Sequence, residues 1–220
     1  MASAARLPNP PPRRLRTDHR ANRSCKAPPV SARYPERVSP TVFHLIGPPG
    51  SGKRTVGLHL AALTGAVLLD NHLFRDAVYR PYGADGLRPI PPELQALGTQ
   101  VWALGLQAAR MAPGDVSQIF TAHHAGDAAG AAAAEQIRAV AVDRQARYVP
   151  VWLQCEVEEL ARRVALPERR DRAKLRDPAQ LRQVLEARGM LEPHPGALLI
   201  DTGATPPVEA AQRIAACITS

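Results

Sequence analysis

The run Gly47-Pro48-Pro49-Gly50-Ser51-Gly52-Lys53 constrains this chain more than any other stretch. An apolar run, TVFHLI, comes before it. After it, Val56, Leu60 and Leu63 recur at helical spacing, with Gly65 as a stop. Strand, glycine-rich turn and helix in that order fit the pattern G-x-x-x-x-G-K. Glycines let the backbone curl so that successive N–H groups point at phosphate oxygens. The start of the helix adds its positive end, and a lysine in this register reaches the terminal phosphates. Gly47, Pro48, Pro49, Gly50, Ser51, Gly52, Lys53, Arg54 and Thr55 are therefore the candidate nucleotide-binding residues. Arg54 is the departure, because the motif places there a Ser or Thr whose hydroxyl binds Mg²⁺. Thr55 comes one residue late, about 100° further round a helix. Either the loop is degenerate, or Mg²⁺ is held mainly by water and phosphates, as is its habit.

Beyond the loop, short apolar runs alternate with helical patterns. AVLLD (66–70), VSQIFTA (116–122), YVPVWLQ (148–154) and GALLIDTG (196–203) read as further strands. Residues 71–80, 93–111, 128–147, 156–165 and 206–218 read as helices, and the segment 167–189 as helical in two pieces split near Asp177–Pro178. Residues 81–92 are loop by composition. Such alternation predicts an α/β fold: a five-stranded parallel sheet between two helical layers. In such sheets ligands sit beyond the carboxyl ends of the strands. That rule selects 47–55, Asp70–His72, Thr121–His124, Gln154–Glu156 and Asp201–Thr205.

The net charge of +8 is unevenly placed. Residues 1–40 hold nine Lys/Arg against only Asp18 and Glu36, together with eight prolines, so the remaining chain is close to neutral. Residues 1–40 therefore read as a disordered basic Pro/Arg-rich tail, and 41–220 as the folded domain. Nucleic acid, supported by the tail alone, is disfavoured as a partner. No run of 18 apolar residues exists, so no membrane span is expected. Cys25, Cys155 and Cys217 show no metal or disulfide spacing, and free thiols suit a cytoplasmic protein. Trp102 and Trp152 read as core. His123 and His124, adjacent on a strand end, cannot both face one metal.

GPPGSGKRT resembles the loop of adenylate kinases and other small-molecule kinases of the P-loop class, some of which also lack a hydroxyl directly after the lysine. GPPGSGKRTVG, LLDNHLF, IFTAH, VWLQCEVEELARRV, RDRAKLRD and IDTGATPPVEAAQRI follow in order, over about residues 42–218. Together they resemble small bacterial ATP-binding proteins similar to shikimate and gluconate kinases. The resemblance implies the P-loop NTPase fold, strand order 2-3-1-4-5, and a helical lid at about 166–190. It also implies that the loop Asp201–Pro206 borders adenine.

Asp70 ends the second strand, where shikimate kinases carry an acidic residue near Mg²⁺ and substrate. A carboxylate there suits phosphoryl transfer, taking or orienting the acceptor's hydroxyl proton or holding Mg²⁺ through water. Asp70 is also placed to cap the next helix. Shikimate kinases read Asp-x-Asp, whereas Asp70-Asn71-His72 lacks the second carboxylate. In the lid, arginine forks match the charge of a transferring phosphoryl group. Arg163, Arg170 and Lys174 match the family's lid pattern, with Arg170 and Lys174 one helical turn apart. A solvated face of mixed charge is the competing view of that segment. The expected function is a cytoplasmic phosphotransferase using ATP and Mg²⁺ to phosphorylate a hydroxyl of a small molecule. Lys53, Asp70 and Arg170 would be its catalytic residues. A nucleotide-binding regulator or slow NTPase is the alternative. The acceptor's identity and the oligomeric state are not legible in the sequence.

Overall fold

Strand β1 (Thr41–Ile46) is buried along its whole length, so its alternate side chains must serve two cores. Phe43 and Leu45 face one side, where Val56 and Leu60 of α1 (Lys53–Thr64) meet Ala210, Ala211 and Ile214 of α7 (Pro207–Ala216). Val42 faces the other, where Trp102, Leu106 and Ala109 of α3 (Pro92–Arg110) meet Ile137, Val140 and Ala141 of α4 (Ala128–Asp143). Burying a side chain such as Phe43 or Leu60 contributes roughly 2–3 kcal/mol. The two apolar layers therefore hold the sheet from both faces.

The remaining strands are β2 (Val67–Asp70), β3 (Gln118–Ala122), β4 (Arg147–Gln154) and β5 (Leu198–Asp201). All pairings are parallel, and the order is β2-β3-β1-β4-β5, as expected. In register, Asp70 lies beside Thr121, and Ile46 beside Ala122 and Trp152. The carboxyl ends of β1, β2 and β3 thus form one rim. Helices α2 (Asn71–Tyr79), α5 (Val157–Val164) and α6 (Pro178–Arg188) complete the elements. Leu160, Ala161 and Val164 of α5 enclose Leu181 of α6 in a third, smaller core.

The computed structural model describes residues 39–167, 169 and 173–218. Most of the basic tail, and Arg170, lie outside the described residues. Pro40 already belongs to the folded unit, since it is buried and its carbonyl accepts the Arg147 N–H at 2.8 Å. Trp102 and Trp152 are buried, as their apolar context implied. The charged stretch before Asp177 departs from expectation. Residues 174–177 are not helical, and a helix begins only at Pro178, where the Asp177 carboxylate caps the Ala179 amide at 2.8 Å. Lys174 is therefore not on a helix, and its expected partner Arg170 lies outside the described residues. The asparate-proline pair is a helix start, and the proline biases the residue before it toward extended backbone. Among the described residues, no helix is long and apolar enough to cross a membrane.

Candidate active site

The loop is built from glycines in conformations that side chains resist. Gly50 and Gly52 have φ of 92° and 79°, so the backbone turns through the left-handed region twice before α1 begins. Helix α1 starts at Gly52 without a side-chain cap, which leaves its positive end open to an anion. The Gly47 N–H is tied to the Ala122 carbonyl at 3.2 Å, which anchors the loop to β3. Lys53 folds back over this loop. Its Nζ donates to the carbonyls of Gly47 at 2.7 Å and Pro48 at 2.8 Å, with the Ser51 hydroxyl at 3.4 Å. Burial lowers the Lys53 pKa to about 7, with Lys174 and Arg169 adding to the fall and Asp70 opposing it.

Across a cleft of about 780 Å³ stands Asp70, lined up with the loop by strand order. Pro49, Gly50, Gly52, Lys53, Arg54 and Thr55 line the loop side. Asn71, His72, Arg80, Thr121, His123, Arg169, Lys174 and Leu175 close the rest. Asp70 is 4% exposed, and both its oxygens are engaged. Oδ1 accepts from the His72 N–H at 3.1 Å and from the Thr121 hydroxyl at 3.4 Å, so Asp70 does cap α2. Oδ2 lies 3.4 Å from Lys174 Nζ and 3.2 Å from Arg54 Nε. The Arg54 contact is ionic only, because that N–H is not aligned as a hydrogen bond. Burial alone would raise the Asp70 pKa. The Lys174 ammonium and the His72 N–H outweigh it, and the carboxyl is held below its usual range. Lys174 is itself lowered by burial, against the pull of Asp70.

Mg²⁺, which the fold implies, was tested against these donors. Asp70 is the sole carboxylate among the described residues lining the cleft. A carboxylate has about four lone-pair sites; three donors already occupy this one, and the Arg54 guanidinium stands beside it as a charge. Where the motif would offer a hydroxyl, Arg54 offers a guanidinium. Among the described residues no group of three or more His, Cys, Asp or Glu is arranged to hold a metal. These residues do not fit a magnesium held by the protein.

The other expected residues divide. Lys174 joins Asp70 in the cleft. Arg163 does not line it: its guanidinium is held by Glu159 Oε1 at 2.7 Å and the Thr202 carbonyl at 2.9 Å. Arg170, the other expected residue of that segment, lies outside the described residues, and its neighbour Arg169 lines the cleft.

Two further features lay beyond sequence reasoning. One is a buried polar chain behind the loop. His44 Nε2 lies 3.1 Å from His124 Nε2, and His44 Nδ1 lies 2.9 Å from the Tyr148 hydroxyl. A histidine inside the otherwise apolar TVFHLI was the signal, since a buried polar group demands a partner. The other is a clasp between the 81–91 loop and the segment 173–177. The Arg176 N–H donates to the Gly86 carbonyl at 2.9 Å, and Arg176 Nη1 to the Asp85 carbonyl at 3.2 Å.

No family model matches the chain, and no curated protein sequence matches it significantly. Solved structures do. A provisionally assigned kinase from Chloroflexus aurantiacus is 18% identical, with a TM-score of 0.62 and coverage of 82% of this chain and 97% of the other. A gluconokinase from Sinorhizobium meliloti is 17% identical, with a TM-score of 0.54 over 83% of this chain and 93% of the other. The shikimate kinase of Acinetobacter baumannii, solved with shikimate, is 24% identical, with a TM-score of 0.52 over 83% and 94%. The chain has the P-loop small-molecule kinase fold. At these identities the likeness establishes architecture, and the chemistry rests on the cleft.

Proposed function

We propose that the chain is an ATP-dependent phosphotransferase that acts on a hydroxyl group of a small molecule. One observation carries the reading: a glycine-rich loop with its lysine faces a buried carboxylate across a single cleft, which Arg169 and Lys174 also line. In this reading the loop amides and Lys53 hold the nucleotide's phosphates. The acceptor oxygen attacks the γ-phosphorus, the bond from that phosphorus to the ADP oxygen breaks, and the acceptor's hydroxyl proton passes to the Asp70 carboxylate. Asp70, ionised, accepts that hydroxyl as a hydrogen-bond partner and aims it once Lys174 turns to the incoming phosphates. Arg169 and Lys174 neutralise the transferring group, and their closure excludes water. The kinase resemblance and the solved structures containing shikimate, or AMPPNP with APS in the kinase from Mycobacterium tuberculosis, support a nucleotide and a small acceptor.

The engagement of Asp70 by its own neighbours favours a second reading, a nucleotide-binding protein without an acceptor. ADP release measured against a library of hydroxylated metabolites separates the two. An acceptor that stimulates ADP release, with turnover lowered about a hundredfold or more by Asp70→Asn and ATP affinity little changed, is the expected outcome. Turnover that no acceptor stimulates, and that Asp70→Asn leaves unchanged, would leave only the second reading.

A further inference from the structure

The phosphate end of the cleft is unusually cationic. Among the described residues Lys53, Arg54, Arg80, Arg169 and Lys174 line the cleft, against the carboxylate of Asp70 alone. Arg54 is the residue that sets this balance. It comes directly after the lysine, on the first turn of α1, where a hydroxyl would have completed a magnesium site. Its side chain is 35% exposed, and its Nε stands 3.2 Å from Asp70 Oδ2, beside Lys174 Nζ at 3.4 Å from the same atom. One residue thus removes a metal ligand, adds a positive charge and occupies the carboxylate that might have served instead.

The consequence is electrostatic. A divalent ion bridging nucleotide phosphates here would enter a cationic field that the Asp70 carboxylate only partly offsets. Repulsion between like charges a few ångströms apart is strong in a partly buried site. The uncomplexed nucleotide carries more negative charge than its magnesium complex, and so gains more from the same cations.

Resting on the phosphotransferase reading for the ligand, we propose that Arg54 stands in for the metal ion at the phosphate end of this cleft, so that the site binds the uncomplexed nucleoside triphosphate and its affinity does not depend on Mg²⁺. Arg54 acts here as a fixed positive charge on the polyphosphate, and the protein supplies no ligand to the ion.

Calorimetric titration of the full chain with ATP tests this, once in EDTA and once in excess MgCl₂. Binding in EDTA should equal or exceed binding in Mg²⁺, by up to about tenfold. Arg54→Ser should reverse the order: affinity in EDTA drops by about tenfold or more, and Mg²⁺ restores it. Arg54→Lys keeps the charge and should bind as the parent does in both buffers. A parent chain that binds about tenfold more tightly with Mg²⁺ overturns the proposal without any variant, as does an Arg54→Ser chain that follows the parent in both buffers. Binding of ATP in neither buffer removes the phosphotransferase reading and this proposal together. Mg²⁺-independent binding without any stimulating acceptor removes that reading alone and leaves the role of Arg54 standing.

Discussion

Lys53 is held at the edge of its charge. With its pKa lowered to about 7 by burial and by Lys174 and Arg169, it is largely neutral in mildly alkaline solution. A bound polyphosphate favours the ammonium and raises that pKa again. Nucleotide binding should therefore take up a proton, and affinity should fall as pH rises above about 7. Calorimetry at about pH 8 in two buffers of different ionisation enthalpy reads this directly, and equal heats in both would show that Lys53 is already charged. The same crowding explains why Lys53 lies against the Gly47 and Pro48 carbonyls. None of this was legible in G-x-x-x-x-G-K, which identifies the lysine but not its neighbours from the lid.

At the scale of elements, the clasp between the 81–91 loop and the segment 173–177 depends on Gly86. Its φ is 82°, and a Cβ there would collide with the Lys174 carbonyl. Gly86→Ala must therefore move the segment that carries Lys174. The expected result is a loss of about 1–3 kcal/mol, read as a lowered denaturation midpoint, with faster hydrogen exchange at the Arg176 amide. An Arg176 amide as protected as in the parent would show that the clasp is not held at Gly86. Sequence composition gave the loop as a loop, yet its pairing with the segment 173–177 spans some 90 residues of chain and leaves no local pattern. The helical reading of 174–177 failed for a related reason, because their non-helical course follows from Lys174 reaching Asp70 and Arg176 reaching Gly86.

For the molecule as a whole, the buried histidines set an acid limit on stability. Burial lowers His124 to about 4, and lowers His44 well below its ordinary value, with His124 adding to the effect. Both folded-state values lie below the unfolded value of about 6.5. As pH falls below 6.5, the unfolded chain takes up protons that the folded chain refuses, so stability falls until about pH 4. A shift of this size at His124 corresponds to about 3 kcal/mol. Denaturant titrations across that window should show the slope, and replacing His44 and His124 together with leucine should lessen it, leaving the part owed to His123, which burial also lowers to about 4. A parent profile that is flat from about pH 4 to 6.5 would mean that water reaches the pair.

What the sequence determined by itself was the architecture and the glycine-rich turn that leads into α1. Apolar runs buried on both faces permit only a covered parallel sheet, and the glycines and lysine of 47–53 are local in chain and in space, so their pattern survives without the fold. What only the tertiary structure decided was the state of Asp70. Its four partners come from Arg54, His72, Thr121 and Lys174, on α1, α2, β3 and the lid, and no spacing in the chain records their meeting. Arg54 read in sequence as a missing hydroxyl. In the folded chain it is a cation set against a carboxylate, because the β2-β3-β1 order brings the carboxyl end of β2 round to face the first turn of α1.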